Sequence, residues 1–184
     1  MSVLRPKLLA ISGGISPTSY NRNILNFLQT KYLSKCEIQI YDDIEKFPFF
    51  ISGISLENSP EIIKSFLQKV NEVDGILICS PEYVYSIPGV LKNALEWVVS
   101  SVVFTNKPTA IITAASVGEK AHESLQLILK TIGAKLSDET SLLISGVKGK
   151  VSTDGQITDS ETNEVLERMM NLFISNLLRG SNQI

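Results

Sequence analysis

The chain has 184 residues, 43% of them hydrophobic and 20% charged, with a formal net charge of -2. That length fits one ordinary domain spanning 1–184, the composition excludes a disordered or collagen-like chain, and the lack of a Lys/Arg block leaves no basic face for nucleic acid. No stretch reaches the roughly 18 apolar residues of a membrane helix, and Met1–Ala10 lacks the long apolar run and cleavage site of a secretory signal, so the chain reads as cytoplasmic with no membrane partner.

Leu8-Leu9-Ala10-Ile11 predicts a first strand that runs into Ser12-Gly13-Gly14, and Ile24, Leu25, Leu28 and Tyr32 at helical spacing predict the helix after it. Glu37 to Tyr41 alternates as a second strand does, and an aromatic loop, Phe47-Pro48-Phe49-Phe50, comes after it. Ser59-Pro60 is a helix-start signal, with Ser as cap and Pro in the first turn, and Ile62, Ile63, Phe66, Leu67, Val70 and Val73 mark that helix's face. Gly75 to Cys79 is nearly continuous in apolar residues, as in a strand covered on both sides. A helix near Gly89 to Val98, a strand near Thr109 to Thr113, and a helix whose inner face is Leu125, Ile128, Leu129 and Ile132 come next. Leu142 to Ile144 predicts a short strand, Gly146 to Thr158 a polar surface excursion turning at Asp154-Gly155, and Thr158 to Ser160 the start of a last helix burying Val165, Met169, Leu172 and Phe173. Cys36 and Cys79 lie far apart without the clustering of a zinc site and read as buried thiols.

Five strands alternating with helices predict an α/β chain: a parallel sheet, right-handed crossovers and helices on both faces. In such sheets ligands sit beyond the carboxyl ends of the strands, where strand order reverses, so the functional residues belong on the βα loops. The first of these loops, Ser12 to Asn21, carries two glycines, hydroxyls and an amide in front of a helix, and this suits a phosphate: small residues admit backbone N–H groups, hydroxyls donate, and the helix end adds partial positive charge. It has neither the Gly-Lys-Ser/Thr of a nucleoside-triphosphate loop nor the spaced glycines of a dinucleotide fingerprint. An ordinary capped turn, with Ser19 or Asn21 serving only the helix, is the structural alternative. The second loop, Ser80 to Gly89, is bracketed by prolines that fix its backbone for reading a flat heteroaromatic ring; packing of Tyr83 and Tyr85 at a subunit contact is the alternative there. His122 reads as a solvated surface residue. Asp42, Asp43 and Glu45 read as a solvated loop rather than a metal site, and no metal is expected.

The stretch Pro81-Glu82-Tyr83 through Ser86-Ile87-Pro88-Gly89-Val90-Leu91-Lys92-Asn93-Ala94-Leu95-Glu96-Trp97 resembles the signature of the NADPH-dependent FMN reductase family of quinone, chromate and azo reductases. The resemblance extends from Lys7 to the terminal helix and implies a flavodoxin-like three-layer sandwich with strand order 2-1-3-4-5. It implies FMN as cofactor and NADPH or NADH as co-substrate. Hydride would pass through the flavin to a small-molecule acceptor: a quinone, azo compound, metal oxyanion or free flavin. Carried over by position, Ser16, Thr18, Ser19 and Asn21 would hold the phosphate and ribityl group, Pro81, Glu82, Tyr83, Val84 and Ser86 would line the ring, and Ala115 and Ser116 would form the third contact. Lys92, Asn93 and Trp97 would support the loop and subunit packing, and no side chain is expected to be strictly catalytic. A homodimer or homotetramer is implied, with Tyr85, Phe104 and Phe47 to Phe50 as candidate contacts. Three positions depart from the family pattern: Ser16 stands for an arginine, Val84 for an asparagine, and Ala114 to Lys120 lacks paired glycines and an arginine. A flavodoxin-like electron carrier, and a degenerate relative that has lost flavin and serves as an interaction subunit, stay open as alternatives.

Overall fold

The computed structural model describes residues 5–16 and 18–181, so that Pro17 of the first loop and the first four residues of the N-terminal segment lie outside the described residues. Among the described residues, β1 (Lys7–Ser12), β2 (Glu37–Tyr41), β3 (Gly75–Ser80), β4 (Thr109–Ala115) and β5 (Ser141–Ser145) form one parallel sheet in the order β2-β1-β3-β4-β5. This is the predicted order, with the reversal between β1 and β3. The helices are α1 (Tyr20–Lys31), α2 (Glu61–Glu72), α3 (Gly89–Val98), α4 (Glu119–Thr131), α5 (Val147–Lys150) and α6 (Ser160–Ser181).

The apolar runs form interior strands because both of their faces are covered. Leu8, Ala10, Leu77, Cys79, Ala110 and Ile112 pack in one cluster with residues of α1 and α6, whereas Leu9, Ile11, Ile76, Ile78 and Ile111 pack in the other with α2, α3 and α4. Each large side chain buried in these layers, such as Phe66 or Trp97, contributes about 1.5–3 kcal/mol relative to exposure. Edge strands β2 and β5 alternate in burial instead. Ser12 pairs with Cys79, Ser80 with Thr113 and Ala115 with Ser145, so the strands end nearly in line and the loops after them share one edge of the sheet.

Several local expectations are corrected. The sheet-facing stripe of α6 is Leu166, Met169, Met170, Phe173, Ile174 and Leu177, while Val165 and Leu172 are only half-buried. Ser59 does not cap α2: its hydroxyl donates to the Ser55 carbonyl at 3.1 Å, and Pro60 is the cap, its carbonyl accepting from Ile63 and Lys64. Phe104 is fully buried within the α2–α4 layer and is therefore no subunit contact. In the aromatic loop Phe47 is buried against Tyr41 and Phe66, Phe50 stacks edge-on to Trp97, and only Phe49 projects, at 88% exposure. The Pro48 carbonyl accepts from Asn93 Nδ2 at 3.0 Å and Trp97 Nε1 at 2.8 Å, so these two residues clasp the aromatic loop rather than the Pro81–Gly89 loop.

The segment after β5 is more ordered than a surface excursion. It forms α5, closes a Val151–Ile157 bridge, and docks on α1, where Asn23 Nδ2 donates to the Thr153 carbonyl. Gly155, at φ +86°, sits so close to the Asn23 carbonyl that any Cβ would overlap it. Glycine is required there both for the positive φ and for the close approach.

Candidate functional site

The β1 loop is folded tightly onto the sheet edge. Gly13 N–H donates to the Cys79 carbonyl at 2.8 Å, and the Ser12 hydroxyl to the Gly14 carbonyl at 2.8 Å. A Cβ on Gly14 would collide with Ser19 Oγ, so this glycine lets the loop close on the start of α1. Ser16 and Thr18 are exposed, with their hydroxyl oxygens 3.2 Å apart. Ser19 occupies the N-cap of α1 in extended backbone, yet its hydroxyl makes no cap hydrogen bond although the residue is only 9% exposed. The first helical bond runs from Asn23 N–H to the Ser19 carbonyl at 3.0 Å, which leaves the N–H groups of Tyr20, Asn21 and Arg22 without intrahelical partners.

Asn21 is almost fully buried, and its amide is committed elsewhere. Nδ2 donates to the Ala114 carbonyl at 3.2 Å, and Oδ1 accepts from Cys79 Sγ at 3.3 Å. The side chain therefore ties α1 to β3 and β4, and only its backbone N–H suits the role expected of it toward an anion. Complete burial holds the Cys79 thiol far above its ordinary range, so it stays protonated and donates.

The β3 loop reaches across to α4 through Glu82. Oε2 accepts from Ala121 N–H at 2.9 Å and Oε1 from Gly118 N–H at 3.3 Å, so this carboxylate satisfies donors at the helix start and complements its dipole. Beyond it, Tyr83 and Ser86 exchange two backbone hydrogen bonds, of 2.9 and 3.1 Å, around Val84 and Tyr85 at φ +52° and +56°. Two positive φ angles make a type I′ turn, a geometry that glycine and asparagine adopt at low cost and a β-branched valine does not. Val84 is 96% exposed and gains no packing in return. Such uncompensated strain concentrates at functional loops.

The third loop is held by the start of the segment after β5: the Ser116 carbonyl accepts from Gly146 N–H at 3.1 Å, and the Ser145 hydroxyl donates to the Val117 carbonyl at 2.6 Å. His122, expected in solvent, is half-buried against β4, where Nδ1 lies 2.8 Å from the Thr113 hydroxyl; burial lowers its pKa. Asp42 and Asp43 are paired with Arg22 and Lys46, and no group of three or more His, Cys, Asp or Glu is gathered among the described residues.

These loops line an open cavity of about 310 Å³. Ser16, Thr18, Ser19 and Asn21 line it from the first loop, Pro81, Glu82 and Tyr83 from the second, and Ala115 and Ser116 from the third. Val84 and Ser86 belong to the turn beyond Tyr83 and are not part of the lining, and neither is His122. Tyr20 of the first loop, Ala114 at the start of the third, and Val147 and Lys148 after β5 complete the wall, and to the last two no sequence motif points. For Lys148 the usable signal is its place directly after a strand of a parallel sheet, at the edge where ligands bind.

The model of the NADPH-dependent FMN reductase family matches residues 6–148. The chain belongs to this family. The match spans every strand and all three loops of the cavity. The chain is 31% identical over 180 residues to the NADH-dependent flavin reductase subunit 2 of Lactobacillus johnsonii, covering 91% of this chain and 95% of that one. It is 30% identical over 175 residues to the NAD(P)H:quinone oxidoreductase of Solanum tuberosum, covering 89% of each. In structure it is similar to a flavoenzyme NAD(P)H:(acceptor) oxidoreductase from Paracoccus denitrificans, with a TM-score of 0.82 at 21% identity over 95% of this chain and 98% of the other, which shows a common fold. In this FMN reductase the signature stretch Pro81 to Trp97 thus corresponds to the β3 loop and α3.

Proposed function

We propose that this FMN reductase binds the flavin phosphate at the start of α1 and the ring along Pro81 to Ser86, and transfers reducing equivalents from NADPH or NADH to a quinone. The observation that carries this reading is the joint cavity of the three loops, with the uncapped, nine-tenths buried Ser19 at its wall. When bound, FMN supplies the redox chemistry, accepting hydride from the nicotinamide and surrendering it to the acceptor.

The residues suit that group. Ser16, Thr18 and Ser19 offer hydroxyls to phosphate oxygens, and Tyr20 and Asn21 offer backbone N–H groups at a helix N-terminus. Glu82, the one carboxylate in the wall, is engaged by Gly118 and Ala121, so its charge is spent on a helix start. The Tyr83–Ser86 turn would offer its fixed backbone groups to the ring, and Ala114 and Ala115, small residues of the cavity wall, would leave room for it. A quinone is favoured as acceptor by the potato relative's activity and by the flat rings of Tyr83 and Tyr85, exposed at 55% and 76% beside Val84 at 96%. The same exposed residues, together with Phe49, support a homodimer or homotetramer in the cytoplasm, in which a second copy covers the turn; no helix among the described residues is long and apolar enough to cross a membrane.

Titration of flavin-free protein with FMN, followed by quenching of flavin fluorescence, tests the reading. Saturable binding with one flavin per chain is expected. Absence of binding overturns it and leaves the interaction-subunit alternative.

A further inference from the structure

We propose that Lys148 supplies the positive charge that the first loop lacks, pairing with the phosphate of the flavin; this rests on the FMN reading above. A phosphomonoester carries about -1.5 to -2 charges at neutral pH, and a helix N-terminus contributes only about +0.5. The cavity therefore needs roughly one more cation, and Ser12 to Asn21 contains none. Arg22, the nearest arginine in sequence, is ion-paired with Asp42. Lys148 lines the same cavity as Ser16, Thr18 and Ser19, and makes neither an ion pair nor a side-chain hydrogen bond among the described residues.

The backbone that carries this lysine is fixed rather than loose. Val147 is buried in the α1–α6 layer, Gly146 N–H is bonded to the Ser116 carbonyl, and the chain beyond α5 docks on α1 through Thr153 and Gly155. Lys148 itself is exposed, and it shares the lining of this cavity with the hydroxyls of the first loop. Charge lost at Ser16, where the family pattern places arginine, would return from the segment after β5.

The test compares FMN with riboflavin, which differ only in the phosphate, on flavin-free wild type, Lys148→Gln and Lys148→Arg, with thermal melts as a check on folding. Lys148→Gln is expected to weaken FMN by roughly 10- to 100-fold, the scale of a hydrogen bond to a charged group, while leaving riboflavin affinity unchanged; Lys148→Arg is expected to restore most of the loss, and the salt dependence of FMN binding is expected to be shallower in Lys148→Gln. Equal losses for both flavins, or an unchanged FMN affinity, would overturn the proposal while leaving the FMN reading intact. Intact FMN binding with a lost preference for NADPH over NADH would also overturn it, by assigning the lysine to the dinucleotide's phosphate. Failure of the wild type to bind FMN removes the FMN reading itself.

Discussion

Glu82 caps the helix that begins 37 residues after it: its Oε2 accepts from Ala121 N–H at 2.9 Å and its Oε1 from Gly118 N–H at 3.3 Å. This bond pair couples the second loop of the cavity to the third. Glu82→Ala strips α4 of its acceptor and is expected to cost about 1–2 kcal/mol of stability, the range for losing a cap, whereas Glu82→Gln, which keeps one acceptor oxygen, is expected to cost less. Urea unfolding of the three proteins measures both.

Val84 tests whether the turn is strained. A β-branched residue at φ +52° carries roughly 1–2 kcal/mol of conformational cost, and its exposed side chain has no packing to lose on replacement. In protein diluted to single chains, Val84→Gly and Val84→Asn are expected to raise the melting temperature by about 2–4 °C, as 1 kcal/mol does in a chain of this size. A lower melting temperature in both variants at that dilution would show that the turn is not strained, while a gain that shrinks as the protein associates is what a second copy covering Val84 produces.

Ser19 and Asn21, two residues apart and both expected at a phosphate, separate into different roles. Asn21→Ala leaves the Ala114 carbonyl and the Cys79 thiol without this partner, so a loss of about 1–3 kcal/mol in stability is expected. Ser19→Ala removes a hydroxyl that makes no cap hydrogen bond, so stability is expected to hold while FMN affinity falls. Calorimetric melts set beside flavin titrations of both variants distinguish the two outcomes.

His122 gives the stability a pH dependence of known sign. Burial lowers its pKa below the ordinary 6.5, so between its folded value and 6.5 the unfolded chain binds more protons than the folded one. Its contribution is complete above pH 6.5 and is lost as pH falls through the folded value. Unfolding midpoints measured from about pH 7.5 to 5, across the ordinary histidine range, are expected to fall less steeply in His122→Gln than in the wild type.

The five strands and the first two candidate loops are legible in the sequence because they rest on local signals, apolar runs of strand length with prolines and glycines at their ends, whereas the strand order and the third loop come only from the family resemblance carried by the dense signature after β3. The features that are not legible depend on contacts distant in sequence. Asn21 meets a carbonyl 93 residues away and Glu82 an amide 39 residues away, and nothing in either local pattern announces it. His122 reads as solvated because Thr113, its partner on β4, precedes the loop that turns α4 back over the sheet. In α6 the apolar arc is broad, and periodicity alone does not tell whether Val165 and Leu172 or Leu166 and Met170 take the sheet side. Phe104 lies two residues after exposed Val102, and only the tertiary path of the chain, which dips into the core there, separates the two.

Anaerobic reduction of the FMN-loaded protein, followed at the visible absorbance of the flavin, bears on the oxidoreductase assignment and the cavity together. NADPH or NADH is expected to bleach the bound flavin rapidly, and a stoichiometric quinone to restore its colour. Flavin that stays oxidised in the presence of both nicotinamides, and is reduced only through a second protein, would contradict the assignment and make this chain an electron carrier.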